Sequence, residues 1–248
     1  MYLLLIIIFS ILGSIGAIIF AGIFLLIKEK AQKVFIPCLI SYATGTLLAA
    51  AFLGLIRQAV TDSEPVIVLS VVLGGIVCFF LLEKLIIWRH CHNEKCELHG
   101  TAGPILLIGD AFHNFIDGMI IASSFLINFQ IGVVTSISII THEIPQEVGD
   151  FAILLNGGYS KKRAFLLNLL SSITTIPGAI ISFFLLEIFN SIIPYIMAFS
   201  AASFLYIALS DLTPELHHKS DFGTNLRQIV LILAGIGTIV LILSLKFI

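Results

Sequence analysis

Apolar stretches of about 20 residues, each closed by a short polar, glycine- or proline-bearing connection, recur along the chain and predict long helices rather than strands. A hydrocarbon layer about 30 Å thick is crossed by about 20 apolar residues rising roughly 1.5 Å each. On that measure eight spans are expected, near 3–27, 34–60, 65–88, 102–127, 131–156, 164–188, 194–212 and 225–247. No linker, low-complexity tract or sequence repeat separates them, so residues 1–248 are expected to form a single transmembrane domain. The expected fold class is an all-α polytopic membrane protein.

The basic residues orient this set. Eleven of the thirteen Lys and Arg gather in or beside the connections 28–33, 89–101, 157–163 and 213–224, with only Arg57 and Lys246 elsewhere. Basic loops resist translocation, so those connections are expected inside and both termini outside. The start, MYLLLIII, lacks the basic region of a cleavable signal peptide, and the first span is expected to be retained. Composition agrees: 58% apolar and 11% charged residues, against roughly 45–50% and 25% in soluble domains, make the lipid bilayer the surrounding medium. A net charge of −2 argues for no nucleic-acid partner.

The acidic residues break the pattern. Five of the fifteen (Asp110, Asp117, Glu143, Glu147 and Asp150) fall in the fourth and fifth spans. At roughly 2.5–3.5 kcal/mol for an acidic group at a helix centre, five facing lipid would cost on the order of 12–17 kcal/mol. They are expected to face protein, water or a cation.

Helical spacing sorts the polar side chains. His113 and Asp117 are four apart, as are His142 and Gln146, and Glu143 and Glu147, while Asn114 and Asp117 are three apart. Counted from opposite membrane faces, His113 and His142 both lie roughly 16 Å deep. The three-residue connection NFQ makes the two helices antiparallel neighbours, so their polar stripes are expected to meet near the midplane. Two imidazoles, several carboxylates and amide oxygens at one depth are the donors of a divalent-metal site of borderline softness. Zinc is the leading candidate, with iron, manganese or cadmium as alternatives. The expected ligands come from His113, Asn114, Asp117, His142, Glu143, Gln146 and Glu147. Pro145 removes a backbone donor beside them and is expected to bend the helix and free the Thr141 carbonyl toward a cavity.

GDAFHNFIDG (109–118) followed by HEIPQEVGDFAILL (142–155) resembles the paired signatures of the ZIP (Zrt/Irt-like) family of divalent-metal transporters. The similarity continues through SYATGTLLAAAFL (41–53), GGYSKKRAFLLN (157–168) and AASFLYIALSDLTPEL (201–216), and is nearest the subgroup carrying HExPHExGD. The resemblance implies eight transmembrane helices in a 3+2+3 arrangement, the outer triplets pseudo-symmetric about the fourth and fifth, with both termini outside. It further implies a homodimer, metal transport into the cytoplasm, and a binuclear site. In that site His113, Asp117, His142 and Gln146 serve one metal; Asn114, Asp117, Glu143 and Gln146 serve the other. Gln146 departs from the pattern, standing where the subgroup has His and other members Glu.

Other features carry weaker signals. The loop RHCHNEKCELHG offers His90, Cys91, His92, Cys96 and His99 either as a cytoplasmic metal-collecting loop or as an ordinary solvated one. Asp211, Glu215, His217 and His218 lie where a metal would leave, or are simply surface charges at a helix end. Cys38 and Cys78 sit in apolar runs and read as packing residues. Against the transporter stand an intramembrane zinc-dependent hydrolase built on His142–Glu143, a metal sensor without flux, and a merely structural polar network. The short loops suggest a bacterial inner membrane.

Overall fold

The structure is a computed structural model and describes residues 2–24, 26, 28–90, 102–156, 158–188, 190–217 and 222–244. Among the described residues every regular element is helical, and the helices join into eight rods. These are α1 (residues 2–24), α2 (29–62), α3 (Pro65–His90), α4 (Ala102–Ile127), α5 (Phe129–Asn156), α6 (161–188, with a turn at 173–174), α7 (193–216) and α8 (Phe222–Ser244). π-Helical segments interrupt α1 at Leu12–Gly16, α2 at Ala50–Ile56 and α7 at Ile207–Leu212. Segments of six rods, Tyr2–Phe24, Val34–Asp62, Pro65–Leu82, Lys161–Leu185, Ile193–Ser210 and Gly223–Ser244, are long and apolar enough to cross a membrane. The other two, α4 and α5, have 26 and 28 residues and so reach roughly 39–42 Å. α5 runs as one helix through Pro145.

The connections follow from local chemistry. Between α4 and α5 only Asn128 leaves the helical path; its side-chain oxygen accepts from the Ile131 amide at 2.9 Å and caps α5. Glu64 accepts from the Ile67 amide at 3.1 Å, with Pro65 supplying the first turn of α3. α5 ends in a Schellman turn: Gly158, at φ 83°, donates to Leu155 O while Tyr159 donates to Leu154 O. Ser160 then caps α6 by accepting from the Arg163 amide at 3.3 Å.

Packing separates inner from outer helices. Two thirds (67%) of the spanning windows of α2 and α7 is buried, against 17% for α3 and 11% for α8. α4 and α5 lie with α2 and α7 in the interior; α8 packs on α2, α3 on α7, and both α1 and α6 on the α4–α5 pair. The α4–α6 contact is backbone on backbone: a Cβ on Gly118 would strike the carbonyl of Thr175, and one on Gly178 the carbonyl of Phe115. Cys78, expected as a packing residue, is exposed on the outward face of α3. Half-buried Cys38 donates to Val34 O at 3.1 Å. The loop 91–101 and His218 lie outside the described residues, as do the side chains of His90, Asp211 and Glu215.

Candidate metal centre

The polar stripes of α4 and α5 meet in two layers. In the first, His113 and Asp117 of α4 face the consecutive His142 and Glu143 of α5, and one donor atom from each lies within 4.8 Å of all the others. Among the described residues this is the one group of three or more His, Cys, Asp or Glu so gathered. His113 Nε2 stands 3.4 Å from His142 Nε2, 3.8 Å from Asp117 Oδ2 and 3.5 Å from Glu143 Oε1. His142 Nε2 stands 3.4 Å from Asp117 Oδ2 and 3.6 Å from Glu143 Oε1. A tetrahedral zinc ion with bonds of about 2.0–2.2 Å has ligand–ligand edges of roughly 3.3–3.6 Å. Five of the six edges of the N₂O₂ set, at 3.4–3.8 Å, come close to those such an ion imposes, and the sixth, between the two carboxylates, is no longer than 4.8 Å.

The electrostatics point the same way. Among the described residues neither oxygen of Asp117 or of Glu143 has a hydrogen-bond partner, although both residues are buried. Unpaired buried carboxylates cost several kcal/mol each unless a cation meets them. Two carboxylates and two neutral imidazoles balance a divalent ion and leave a monovalent one over-compensated. His142 is set up for this role. Its Nδ1 lies 2.9 Å from the Ser138 carbonyl, which can only accept, so the proton sits on Nδ1 and the Nε2 lone pair faces the cage. The ring of Phe204 on α7 closes the far side of His142, centroids 6.0 Å apart. Three of the four side chains are at most 1% exposed; His113 alone, at 19%, reaches solvent-accessible space.

The second layer lies one turn away, toward the N-terminus of α4 and the C-terminus of α5, and centres on Asp110. Asn114 donates to Asp110 Oδ1 at 3.0 Å and accepts from Thr175 at 3.0 Å, which fixes its amide. Gln146 also donates to Asp110 Oδ1 at 3.0 Å. Glu147 accepts a short hydrogen bond from Ser172 of α6. Of the seven side chains expected at the metal, four thus converge in one cage, while Asn114, Gln146 and Glu147 are bonded within the adjoining layer. Sequence reading did not assign Asp110 to the site, although its spacing of three from His113 and four from Asn114 puts it on the same stripe. Thr175 and Ser172 were missed for a different reason: hydroxyls in an apolar run carry no periodic signal.

This arrangement can be set beside known proteins. The profile of the family described as ZIP Zinc transporter matches residues 88–243, more than half of the chain. The chain belongs to the ZIP family. Zinc transporter ZIP13 of Pongo abelii is 30% identical over 232 residues, covering 87% of this chain and 69% of that protein. Zinc transporter zipt-7.2 of Caenorhabditis elegans is 39% identical over 142 residues, and zinc transporter ZIP10 of Danio rerio 36% over 145. The chain spans only 30% and 17% of the length of these last two. The ZIP match makes this an integral membrane protein and puts the His113–Asp117 and His142–Glu143 pairs inside the family-defining region. These relatives are eukaryotic, which leaves the expectation of a bacterial inner membrane without support.

Proposed function

We propose that this ZIP chain carries divalent metal cations across its membrane into the cytosol, zinc first and iron, manganese or cadmium as further substrates. The observation that carries the reading is the cage itself: two imidazole nitrogens and two unpartnered carboxylate oxygens, at close to tetrahedral spacing, buried between two long helices. His113, Asp117, His142 and Glu143 hold the ion after it sheds water, and Ser138 fixes the imidazole of His142. Asn114, Gln146 and Glu147 serve a second ion or steer the first inward. The 3+2+3 arrangement with outward termini is supported by the basic-residue asymmetry and by the matched pairs α2–α8 and α3–α7 around α4 and α5. Rocking of one bundle against the other would then alternate access. Assembly as a homodimer is part of the same proposal and rests on the family resemblance alone.

The hydrolase alternative finds no support. The named relatives are zinc transporters, and α5 carries Gln146 where H-E-x-x-H needs its second histidine. Protein purified into liposomes tests the proposal. Zinc is expected to enter the vesicles with wild-type protein and not with His113→Ala or Asp117→Ala, both still eluting as folded protein. Binding without flux would establish a sensor instead, and wild-type flux in both variants would remove the cage from the pathway.

A further inference from the structure

Beneath the cage, three acidic side chains are buried with an oxygen to spare. Asp110 uses Oδ1 for Asn114 and Gln146, and Glu147 uses Oε1 for Ser172; among the described residues Asp110 Oδ2, Glu147 Oε2 and Asp150 Oδ2 have no hydrogen-bond partner. These acids are at most 6% exposed. A fourth polar group joins them from α6. Asn168 is 0% exposed, and among the described residues neither its amide nitrogen nor its amide oxygen has a hydrogen-bond partner. Two contacts fix its level: Ser172 bonds Glu147, and the Phe165 ring lies 6.2 Å from that of Phe151. α5 and α6 therefore run antiparallel here. Asn168, between Ser172 and Phe165, stands level with α5 residues between Glu147 and Phe151, the stretch that contains Asp150. It is four residues from Ser172 and so shares the face that meets Glu147.

Asn168 stands level with these acids and bonds none of them, and a buried amide left wholly unpaired costs about 1–3 kcal/mol. A polar guest in the seam, water or a hydrated cation, would satisfy the amide and the carboxylates together. The chemistry of that guest follows from the donors. They are all oxygens with no imidazole, and they do not close into a cage as small as that of His113 and its neighbours. Such a set suits a divalent cation that keeps part of its water, bound through oxygen and second-layer water rather than by four direct bonds.

We propose that a divalent ion leaving the cage is received, partly hydrated, at a second station formed by Asp110, Glu147, Asp150 and Asn168. The inference rests on the transport reading and adds to it. The cage selects by nitrogen and a dry tetrahedron. The inner station has no such preference and returns water to the ion stepwise, so the deep site is left without passing a bare ion through an apolar seam. It is separate from the pair of metals implied by resemblance, since Asp110, Asp150 and Asn168 belong to neither.

Manganese titrated into the detergent-purified protein tests the station. In a His113→Ala/His142→Ala variant, which lacks both cage imidazoles, one Mn²⁺ per chain is expected to remain, with enhanced water-proton relaxation from its retained waters. Adding Asp150→Asn or Asn168→Leu should weaken that binding by about tenfold or more. Asn168→Asp, which adds a carboxylate without changing size, should tighten it, and serves if Asn168→Leu fails to fold. No Mn²⁺ in the cage-free variant, or binding indifferent to Asp150→Asn and Asn168→Asp, overturns the proposal. Zinc flux by wild-type protein in liposomes decides the transport reading separately, because the ion count does not depend on it.

Discussion

Replacing His142 with Ala removes one of four donors from a closed cage, and the structure bounds the effect. Four-ligand structural zinc sites bind with about 10–16 kcal/mol, so one ligand accounts for about 2.5–4 kcal/mol, roughly two to three decades in affinity. His142 and His113 should differ within that range. The His142 side chain is fully buried, its proton position is set by Ser138 and its outer side is closed by Phe204. Water has no ready route to take its place, which puts His142→Ala at the upper end. His113 is 19% exposed, and a water oxygen can occupy the position its nitrogen leaves, so His113→Ala belongs at the lower end. Zinc competition against a chromogenic chelator, on detergent-purified protein whose elution profile is unchanged, measures both. The expected order is wild type, then His113→Ala, then His142→Ala. Losses below about threefold in both variants would mean that the cage is not the principal zinc site. Equal or reversed losses would show that burial does not control ligand replacement here, and the argument from exposure would fall.

Four further outcomes are expected. Gln146→Glu places a second carboxylate where the amide now donates to Asp110 Oδ1 at 3.0 Å; it should raise the number of zinc ions bound per chain, because a divalent cation relieves that pair in competition with a shared proton, and an unchanged count would exclude Gln146 from metal binding. Ser172→Ala leaves Glu147 without its donor and should lower thermal stability of the metal-free protein by about 1–3 kcal/mol, partly restored by added zinc; identical melting curves would contradict the bond. Gly118→Leu should fail to give monodisperse protein, since even a Cβ meets the Thr175 carbonyl, whereas Gly149→Ala, with nothing within 4 Å, should fold normally and gain about 0.5–1 kcal/mol. Cysteines introduced at Ser63 and Ser160 should label from opposite sides, Ser63 from outside and Ser160 from the cytosol; labelling from one side would overturn the assigned orientation.

Much of this protein could be read along the chain. Apolar runs, interrupted by Asn128, by Glu64–Pro65 and by Gly158–Ser160, mark the helices closely because lipid forces every backbone group to be satisfied within its own helix. α5 continues through Pro145, and α2 and α7 extend beyond their expected ends, since neither lipid nor packing stops a helix at the last apolar residue. The His113–Asp117 and His142–Glu143 pairs were also legible, as polar groups too costly to leave in hydrocarbon. Spacing alone could not say which of the seven candidates share one ion. His142 and Gln146 lie on one stripe by periodicity, yet one faces the cage and the other bonds Asp110. That separation depends on how far α4 and α5 are slid past each other, a register expressed in tertiary contacts such as Gly132 against the Phe125 ring near their joint and Gln146 on Asp110, 36 positions away. The roles of Asn168 and Ser172 had the same origin. Serine and asparagine carry no charge penalty large enough to announce them in a sequence, and they acquire meaning only when α6 packs against buried acids that lack partners.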